Sequence, residues 1–588
     1  VLGSPTALVL VALTLVAPMA AFEPTTATTL GMTEHKGYVT VRDGTQLAYD
    51  LKLPGDGSGR YPLLFTYDGY DAGSNADPAY AAEYLPKGYA LLGVNVRGTG
   101  CSGGTFDFFA PVQGFDGYDV IQWAAGQPWS DGNVGMIGKS YPGITQLFVA
   151  ATQPPHLKAI APGHVYGDIY RDVAYPGGIF NYAFAGLWSF VAQPEPGYAA
   201  ALQSQDPQCD QNVLQHTATN APYNAFLQAQ EHPFDDALIK ERSPYYVADR
   251  IQVPTFLFQS WQDEQVGVRG VDVVEKLHAP YWLTLSNGDH GMYRTPTDLA
   301  RLERFFDHFL KGADNGWESE PRVLVWWDAR TDTRAPSWTT SYDAWPVTNV
   351  SPATFWLDAG GALSTTAPTA ASELPDAYAY PTGTTSNGAG YGETCPTASL
   401  CDPQWPATNL TRATPAPTRV TYESAPLADD LVVLGAGNFT FWAASTAADT
   451  DFQVTLSEVR PDGKDVFVQN GWLRASHRDL DGARSSEYRP FQSHTQLDPL
   501  TPGTPTEMSL EIFPVGQVFH QGSRLRVDIE APTTTPQLWG FAALPVPSLD
   551  LVYHDANHPS RLVLPTLPGE HPLSPLPACG VLIRQSCV

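Results

Sequence analysis

Charge is scarce in this sequence, and positive charge most of all. Only 16% of its 588 residues are charged, and 61 acidic residues outnumber 33 basic ones for a net charge of −28. Such a field repels nucleic acid and anionic lipid surfaces, so a polyanion-binding role is excluded. No apolar run after the N-terminal region is long enough to cross a bilayer. No CxxC occurs among the six cysteines and no histidine is spaced with them, which excludes a structural zinc cluster. No Lys-Ser/Thr follows a glycine-rich loop, so there is no P-loop. No internal repeat is visible. No metal and no cofactor is expected.

What is abundant is glycine (51), proline (52) and aromatic residues (12%). With so few charges, this composition suits strands and loops rather than helical arrays. The length exceeds what one core accommodates, so two or three domains are expected. The run Ala7 to Val16, followed by small residues to Ala21, has the form of a secretory signal. Residues 1–21 are accordingly read as a leader and the protein as secreted. Export permits disulfides. Cys395/Cys401 and Cys579/Cys587 are close pairs suited to small loops, leaving Cys101 with Cys209, although other pairings remain open.

Between Gly37 and Pro162 short apolar runs alternate with helical stretches. Tyr61–Tyr67, Ala90–Val96, Val134–Gly138 and Leu157–Ala161 read as buried strands, and Asp119–Ala125 as a helix. This alternation predicts an α/β fold with a parallel sheet covered on both faces. The signal fades from Tyr166 to Tyr246 into aromatic-rich, irregular helices. It resumes at Val253–Ser260 and Tyr281–Ser286, and closes with a helix carrying Leu299, Leu302, Phe305, Phe306, Phe309 and Leu310 on one face before Gly312. Beyond Ser351 the period is that of strands: 439–442, 451–459, 465–474 and 525–530, with a hairpin turn at Arg460–Lys464. Thr365–Thr418 reads as an exposed loop.

The chemistry centres on Gly138-Lys-Ser140-Tyr-Pro-Gly143, placed between an apolar strand and a helical run. A sharp strand-to-helix turn projects the Ser140 hydroxyl above the sheet edge, and the Tyr141 N–H at the helix N-terminus can receive an oxyanion. A serine hydroxyl needs a base, itself oriented by a carboxylate. Asp263 and His290 each follow a strand, in the order such a sheet requires, with Glu264 and Asp289 as rival acids. His164 also follows a strand but stands out of order. Tyr70, in the turn after Tyr61–Tyr67, is a second candidate oxyanion donor. Gly98, Gly100 and Gly103 match dinucleotide spacing, but no helix follows, and Arg97 reads as a loop anchor. Asp449 and Asp451 lack the rest of a calcium loop.

Taken together, Arg97-Gly-Thr-Gly, Gln127-Pro-Trp129 through Lys139-Ser140-Tyr141, Trp261-Gln-Asp263, Asp289-His290 and Phe306 to Gly312 resemble the cocaine esterase / X-prolyl dipeptidyl-peptidase family, with the α-amino-acid ester hydrolases. The resemblance runs from about Gly37 to Pro545. It implies an α/β-hydrolase core (residues 30–165 and 248–350), a helical cap (166–247), a C-terminal all-β jelly roll (351–560) and a tail (561–588). It maps the nucleophile onto Ser140, the acid onto Asp263, the base onto His290, and the oxyanion donors onto the Tyr70 hydroxyl and the Tyr141 backbone. Gln262 replaces an aromatic common in relatives and Asn287-Gly a Gly-Pro-Trp stretch, changes expected to bear on pocket shape.

A substrate ammonium would need carboxylates, and the cap offers Asp168, Asp172, Asp206 and Asp210. Tyr166, Tyr170, Phe180 and Trp188 could instead line an apolar acyl site. Tyr166, Asp172 and Trp188 are the substrate-contact candidates. The expected activity is carboxylic-ester hydrolysis of a small molecule. The alternatives are an X-prolyl aminopeptidase or amide acylase and, in a different class, a non-catalytic binding protein. The sequence sets no oligomeric state.

Overall fold

A computed structural model describes residues 31–70, 78–189, 205–380, 419–532, 539–585 and 587. The leader and the Cys395/Cys401 pair lie outside these described residues. The first of the sheets contains β1 (Met32–Thr40), β2 (Gln46–Pro54), β3 (Tyr61–Asp68), β4 (Ala90–Asn95), β5 (Ser130–Lys139), β6 (Leu157–Gly163), β7 (Thr255–Ser260), β8 (Tyr281–Ser286), β9 (Val323–Trp327) and β10 (Trp338–Tyr342). Their order is β1-β2-β4-β3-β5-β6-β7-β8-β9-β10. From β4 to β9 the strands run parallel, while β1, β2 and β10 are antiparallel additions at the two edges.

The parallel strands are apolar throughout because both faces are covered. In β3, Leu63, Phe65 and Tyr67 belong to one core, and Leu64 points into the other. Helices α1 (Pro78–Tyr84), α2 (Pro111–Ala125) and α3 (Tyr141–Ala151) pack on the sheet, with α2 and α3 on the face opposite α1. The closing helix Pro296–Lys311 buries Leu302, Phe305, Phe306 and Leu310 beside α1. Thr295 caps its start by accepting the Asp298 N–H, and Gly312 ends it in the left-handed conformation (φ 68°).

Between β6 and β7 the chain leaves the sheet for short helices, among them Tyr182–Leu187, Pro207–Thr219, Ala225–Glu231 and Ala237–Glu241. A Cys101–Cys209 disulfide ties the longest of these to the glycine-rich loop after β4. Asn212 Nδ2 donates to the Cys101 carbonyl (2.8 Å) and Asn220 Nδ2 to that of Gly98 (2.8 Å). Arg97 anchors the same loop, as expected, by a bidentate bond to Asp116 (both 2.6 Å) and one to Asp43 (2.9 Å).

The C-terminal part is the jelly-roll domain, an 11-stranded sheet running from β11 (Ser351–Asp358) to β21 (Arg561–Thr566). The predicted hairpin joins Asp451–Val459 to Asp465–Arg474, with the Arg460 N–H on the Lys464 carbonyl (2.8 Å). Two boundaries differ from the sequence reading. Arg561–Thr566, assigned to the tail, is a strand paired with β11, its Leu562 and Leu564 buried despite the interrupting Pro565. Asp376–Tyr380, inside the expected loop, is an edge strand that buries Tyr378 and Tyr380. Asp449 and Asp451 are engaged by Ser476 and by Arg474 with Tyr380, which leaves neither for calcium.

Candidate functional site

Four neighbouring parallel strands, β5 to β8, end on one rim, and each is followed there by a residue of interest. They are Ser140 after β5, His164 after β6, Asp263 just beyond β7 and His290 just beyond β8.

Ser140 adopts φ 62° and ψ −132°, a strained turn for a residue with a side chain. The turn is held on both sides. The Ser140 N–H donates to the Gly163 carbonyl (2.9 Å), and its own carbonyl accepts the N–H groups of Gly143 and Ile144 (2.8 Å each). Gly143, three after the serine, is there for contact: a Cβ would stand 2.6 Å from the Gly163 carbonyl oxygen. Thr145 Oγ1 and Gln146 then pin α3 to the carbonyls of Tyr67 and Gly138. Tyr141 is the first residue of α3, so its N–H has no intrahelical acceptor and lies beside the serine at the positive end of the helix.

Tyr70 meets this turn from β3. Its hydroxyl interacts with the Ser140 side chain and accepts a hydrogen bond from Trp188 Nε1 (3.1 Å). Indole N–H is a donor only, so the Tyr70 hydroxyl accepts from Trp188 and keeps its own proton available for a second partner. Burial pushes the Tyr70 phenol up to about 12, against the hydrogen bonds from Trp188 and Ser140, so it stays protonated. The Trp188 indole lies nearly parallel to the Tyr141 ring (7° between planes, centroids 6.0 Å apart) and edges onto Phe108.

Asp263 is fully buried. Its Oδ1 accepts the backbone N–H groups of Gln265 (2.9 Å) and Val266 (3.0 Å), and both carboxylate oxygens face His290 Nδ1 (3.0 and 2.9 Å). His164 Nδ1 lies 3.0 Å from Oδ2. Burial alone would raise this carboxyl; the adjoining His290 and the hydrogen bonds from His164 and His290 hold it well below the usual carboxylate range. The His290 loop is fixed at three points. Its N–H donates to Glu264 Oε2 (3.1 Å), its carbonyl accepts Lys139 Nζ (2.9 Å), and Gln262 Oε1 accepts the Gly288 N–H (3.2 Å). The Lys139 bond joins the loop directly to the residue before Ser140. His290 Nε2 is buried and has no hydrogen-bond partner among the described residues. The rival acids are occupied: Asp289 pairs with Arg334 (2.7 Å), and Glu264 holds the His290 backbone.

The acid turn rests on the jelly roll. Gln469 Nε2 donates to the Trp261 carbonyl (2.9 Å), Gln262 Nε2 to that of Val468 (3.1 Å), and Trp539 Nε1 to that of Glu264 (2.9 Å). Gln262 therefore staples loops rather than shaping a pocket. Asn287 does likewise, exchanging two bonds with Ala329 (2.6 and 2.9 Å).

Of the substrate-contact candidates, Trp188 reaches the Ser140 surroundings. Tyr166 is buried, donating to the Arg242 carbonyl (3.1 Å). Asp172 is buried beneath the cap, accepting the N–H groups of Gly167 (2.7 Å) and Asp168 (2.9 Å), and burial pushes it up to about 7 against the Arg269 charge. Asp168 is paired with Arg171 (2.6 Å), and Asp206 accepts the Gln208 N–H and the Tyr38 hydroxyl. An apolar hollow lined by Phe108, Ile169, Val173, Phe184, Trp188 and Ile239 opens beside Trp188. Among the described residues, one trio brings possible metal-ligand atoms within 4.8 Å of one another, namely His164, Asp263 and His290. These atoms are hydrogen-bonded to each other, and the trio is read as a proton-bearing network.

Fold and site together define a serine hydrolase of the α/β-hydrolase class. Residues 43–292 match the X-Pro dipeptidyl-peptidase (S15 family) and residues 315–563 the X-Pro dipeptidyl-peptidase C-terminal non-catalytic domain, and the chain belongs to the cocaine esterase / X-prolyl dipeptidyl-peptidase family. It is similar to a Mycobacterium bovis protein that carries a serine-esterase name (27% identity, covering 91% of this chain and 96% of the relative). It is also similar to the cocaine esterase of a Rhodococcus species (25%, covering 90% and 97%). In structure it resembles a CocE/NonD family hydrolase from Staphylococcus aureus (TM-score 0.73, 23% identity, covering 91% and 94%), a likeness of fold.

Proposed function

We propose that this enzyme is an exported carboxylic-ester hydrolase that works through an acyl-enzyme at Ser140. The observation that carries the reading is the state of His290. Its Nδ1 is engaged by a buried carboxylate, its Nε2 is unoccupied, and its loop is tied by Lys139 to the serine turn. A carboxylate only accepts, so Nδ1 carries the proton and Nε2 is the basic nitrogen.

Ser140 Oγ attacks the ester carbonyl as His290 Nε2 takes its proton. The negative oxygen that forms is received by the Tyr141 N–H and the Tyr70 hydroxyl, the latter oriented by Trp188. His290 then protonates the leaving alcohol, and water repeats the sequence on the acyl-enzyme. The hollow beside Trp188 suits an apolar acyl or alcohol group of aromatic or branched shape. An amino-terminal substrate is disfavoured because Asp168, Asp172 and Asp206 are already consumed by Arg171, backbone N–H groups and Tyr38, while the fourth cap carboxylate, Asp210, is exposed on its helix. Export is supported by the two disulfides among the described residues, Cys101–Cys209 and Cys579–Cys587. Among those residues no helix is long and apolar enough to cross a membrane.

The test is hydrolysis of p-nitrophenyl butyrate by wild type and Ser140→Ala, beside an Ala-Pro-anilide and its ester counterpart. Ester turnover lost with the hydroxyl is expected. Preference for the anilide, abolished by blocking the free amine, would replace this reading with an aminopeptidase.

A further inference from the structure

In the chain His164 precedes the acid, out of the order Ser, acid, His. In space it is level with Ser140. Gly163 pairs with Lys139 across β5 and β6, so the next residue on each strand is His164 on one and Ser140 on the other. His164 is completely buried, and its own N–H donates to the Phe258 carbonyl of β7 (2.8 Å), the strand that leads to Asp263. Its backbone sits at φ 49°, in the left-handed region, a strain that persists only where the surroundings over-determine it.

We propose that His164 is a positioning residue for the reaction: a second imidazole on the acid of the triad, which locks the Asp263 carboxylate so that it can serve His290. The inference rests on the Proposed function reading of Asp263 and His290. Asp263 Oδ2 lies 3.0 Å from His164 Nδ1 and 2.9 Å from His290 Nδ1, and the two rings stand 5.5 Å apart. The ionised carboxylate has no proton to give, so both Nδ1 atoms carry hydrogen. Oδ1 is already held by two backbone N–H groups and faces His290. The His164 bond is therefore what completes Oδ2 apart from the catalytic imidazole. Without it, the carboxylate would have a poorly solvated oxygen in a buried site. It could then rotate away from His290 or draw the His290 proton toward itself as the imidazolium forms. Either change weakens the base in the transition state and leaves substrate binding untouched. A space-filling role alone would not need a nitrogen on that side of the ring. His164 Nε2 is buried and has no hydrogen-bond partner among the described residues, so the polar contact that the ring makes is the one to Asp263.

The experiment compares His164→Leu, which removes the donor, with His164→Asn, whose amide N–H can stand near the Nδ1 position. Steady-state p-nitrophenyl butyrate hydrolysis is measured together with the rate and final extent of fluorophosphonate labelling of Ser140. His164→Leu is expected to lower kcat about 10- to 100-fold, the size of loss seen when the hydrogen-bond partner that orients a metal-bound histidine is removed, with KM within about twofold. Labelling should be slower but reach the same extent, and His164→Asn should recover most of the loss. Wild-type kcat in His164→Leu, or equal loss in both variants, overturns the proposal. The wild-type protein supplies a check independent of folding in the variants. With 15N-labelled histidine it should show two strongly deshielded Nδ1–H protons, and one alone overturns the proposal. Should Ser140→Ala retain activity, the Proposed function reading fails first. With Ser140→Ala inactive and His164→Leu unimpaired, this inference alone falls.

Discussion

Around Ser140 single atoms decide the outcome. If Ser140 is the nucleophile of the proposed reaction, replacing it by Ala should lower kcat by about 10⁴-fold or more on p-nitrophenyl esters. Tyr70→Phe keeps the ring against Tyr141 but removes the hydroxyl that interacts with the Ser140 side chain. The expected cost is about 2–4 kcal/mol in the barrier, seen in kcat rather than in KM. A loss near zero would leave the Tyr141 N–H as the main oxyanion donor. That Ser140, Asp263 and His290 stand at strand ends on one rim was legible from sequence because each follows an apolar strand, and strand ends can be read without knowing the fold. His164 follows a strand too, but an argument from chain order had no way to see that β6 lies beside β7. The part played by Trp188 was equally hidden. It depends on a cap helix laying an indole N–H on a tyrosine two segments away, which no local pattern encodes.

The strand-to-helix unit β5–α3 is the element on which the placement of Ser140 depends. It tolerates little, since Gly143 approaches the Gly163 carbonyl where a methyl group would stand at 2.6 Å, and that nearest neighbour is backbone. Gly143→Ala should therefore destabilise the protein by about 1–3 kcal/mol and slow labelling of Ser140, as followed by chemical denaturation and fluorophosphonate reaction. Unchanged behaviour in both would mean that the turn is looser than its contacts imply. At this scale the sequence was informative for central strands, whose apolar runs stand out. It was silent for β1 and β2, which lie at an edge and mix polar with apolar residues. It also misjudged Arg561–Thr566, where a proline interrupts a short apolar run that is buried from Leu562 to Pro565.

For the whole molecule, two long-range features set stability. The Cys101–Cys209 bridge closes a span of 108 residues between core and cap. Replacing both cysteines by serine should lower the unfolding free energy by about 2–5 kcal/mol, measured by denaturant titration. Acid sensitivity has a separate origin at the junction of cap and jelly roll. Burial, then Arg474, depresses His477 from 6.5 to about 4, and burial, then Arg171 and His477, takes the adjoining His494 well below 6.5. Their Nδ1 atoms are 3.2 Å apart. Above the unfolded value neither state binds a proton there. As pH falls below it, the unfolded chain is protonated first, so native stability declines toward pH 4, by on the order of 3 kcal/mol for His477 alone. Asp172 and Glu275, both pushed up to about 7 by burial, work in the opposite direction. The decisive quantity is thus a difference: His477→Asn should lose less Tm than wild type between pH 7.5 and pH 5.

The hydrogen bonds that Gln469 and Trp539 donate to the turn bearing Asp263, and the one that the Val468 carbonyl accepts from it, constrain how this architecture can vary. A module outside the sheet that carries Ser140 and His290 acts as the splint for the turn that carries Asp263. Excising it, or grafting the corresponding module of a distant cousin, would leave the carboxylate on an unsupported bend while every reactive group was still encoded. Lineages that exchange such modules must therefore carry the turn and its splint together, and chimaeras built at the boundary should fail first in turnover and only afterwards in folding.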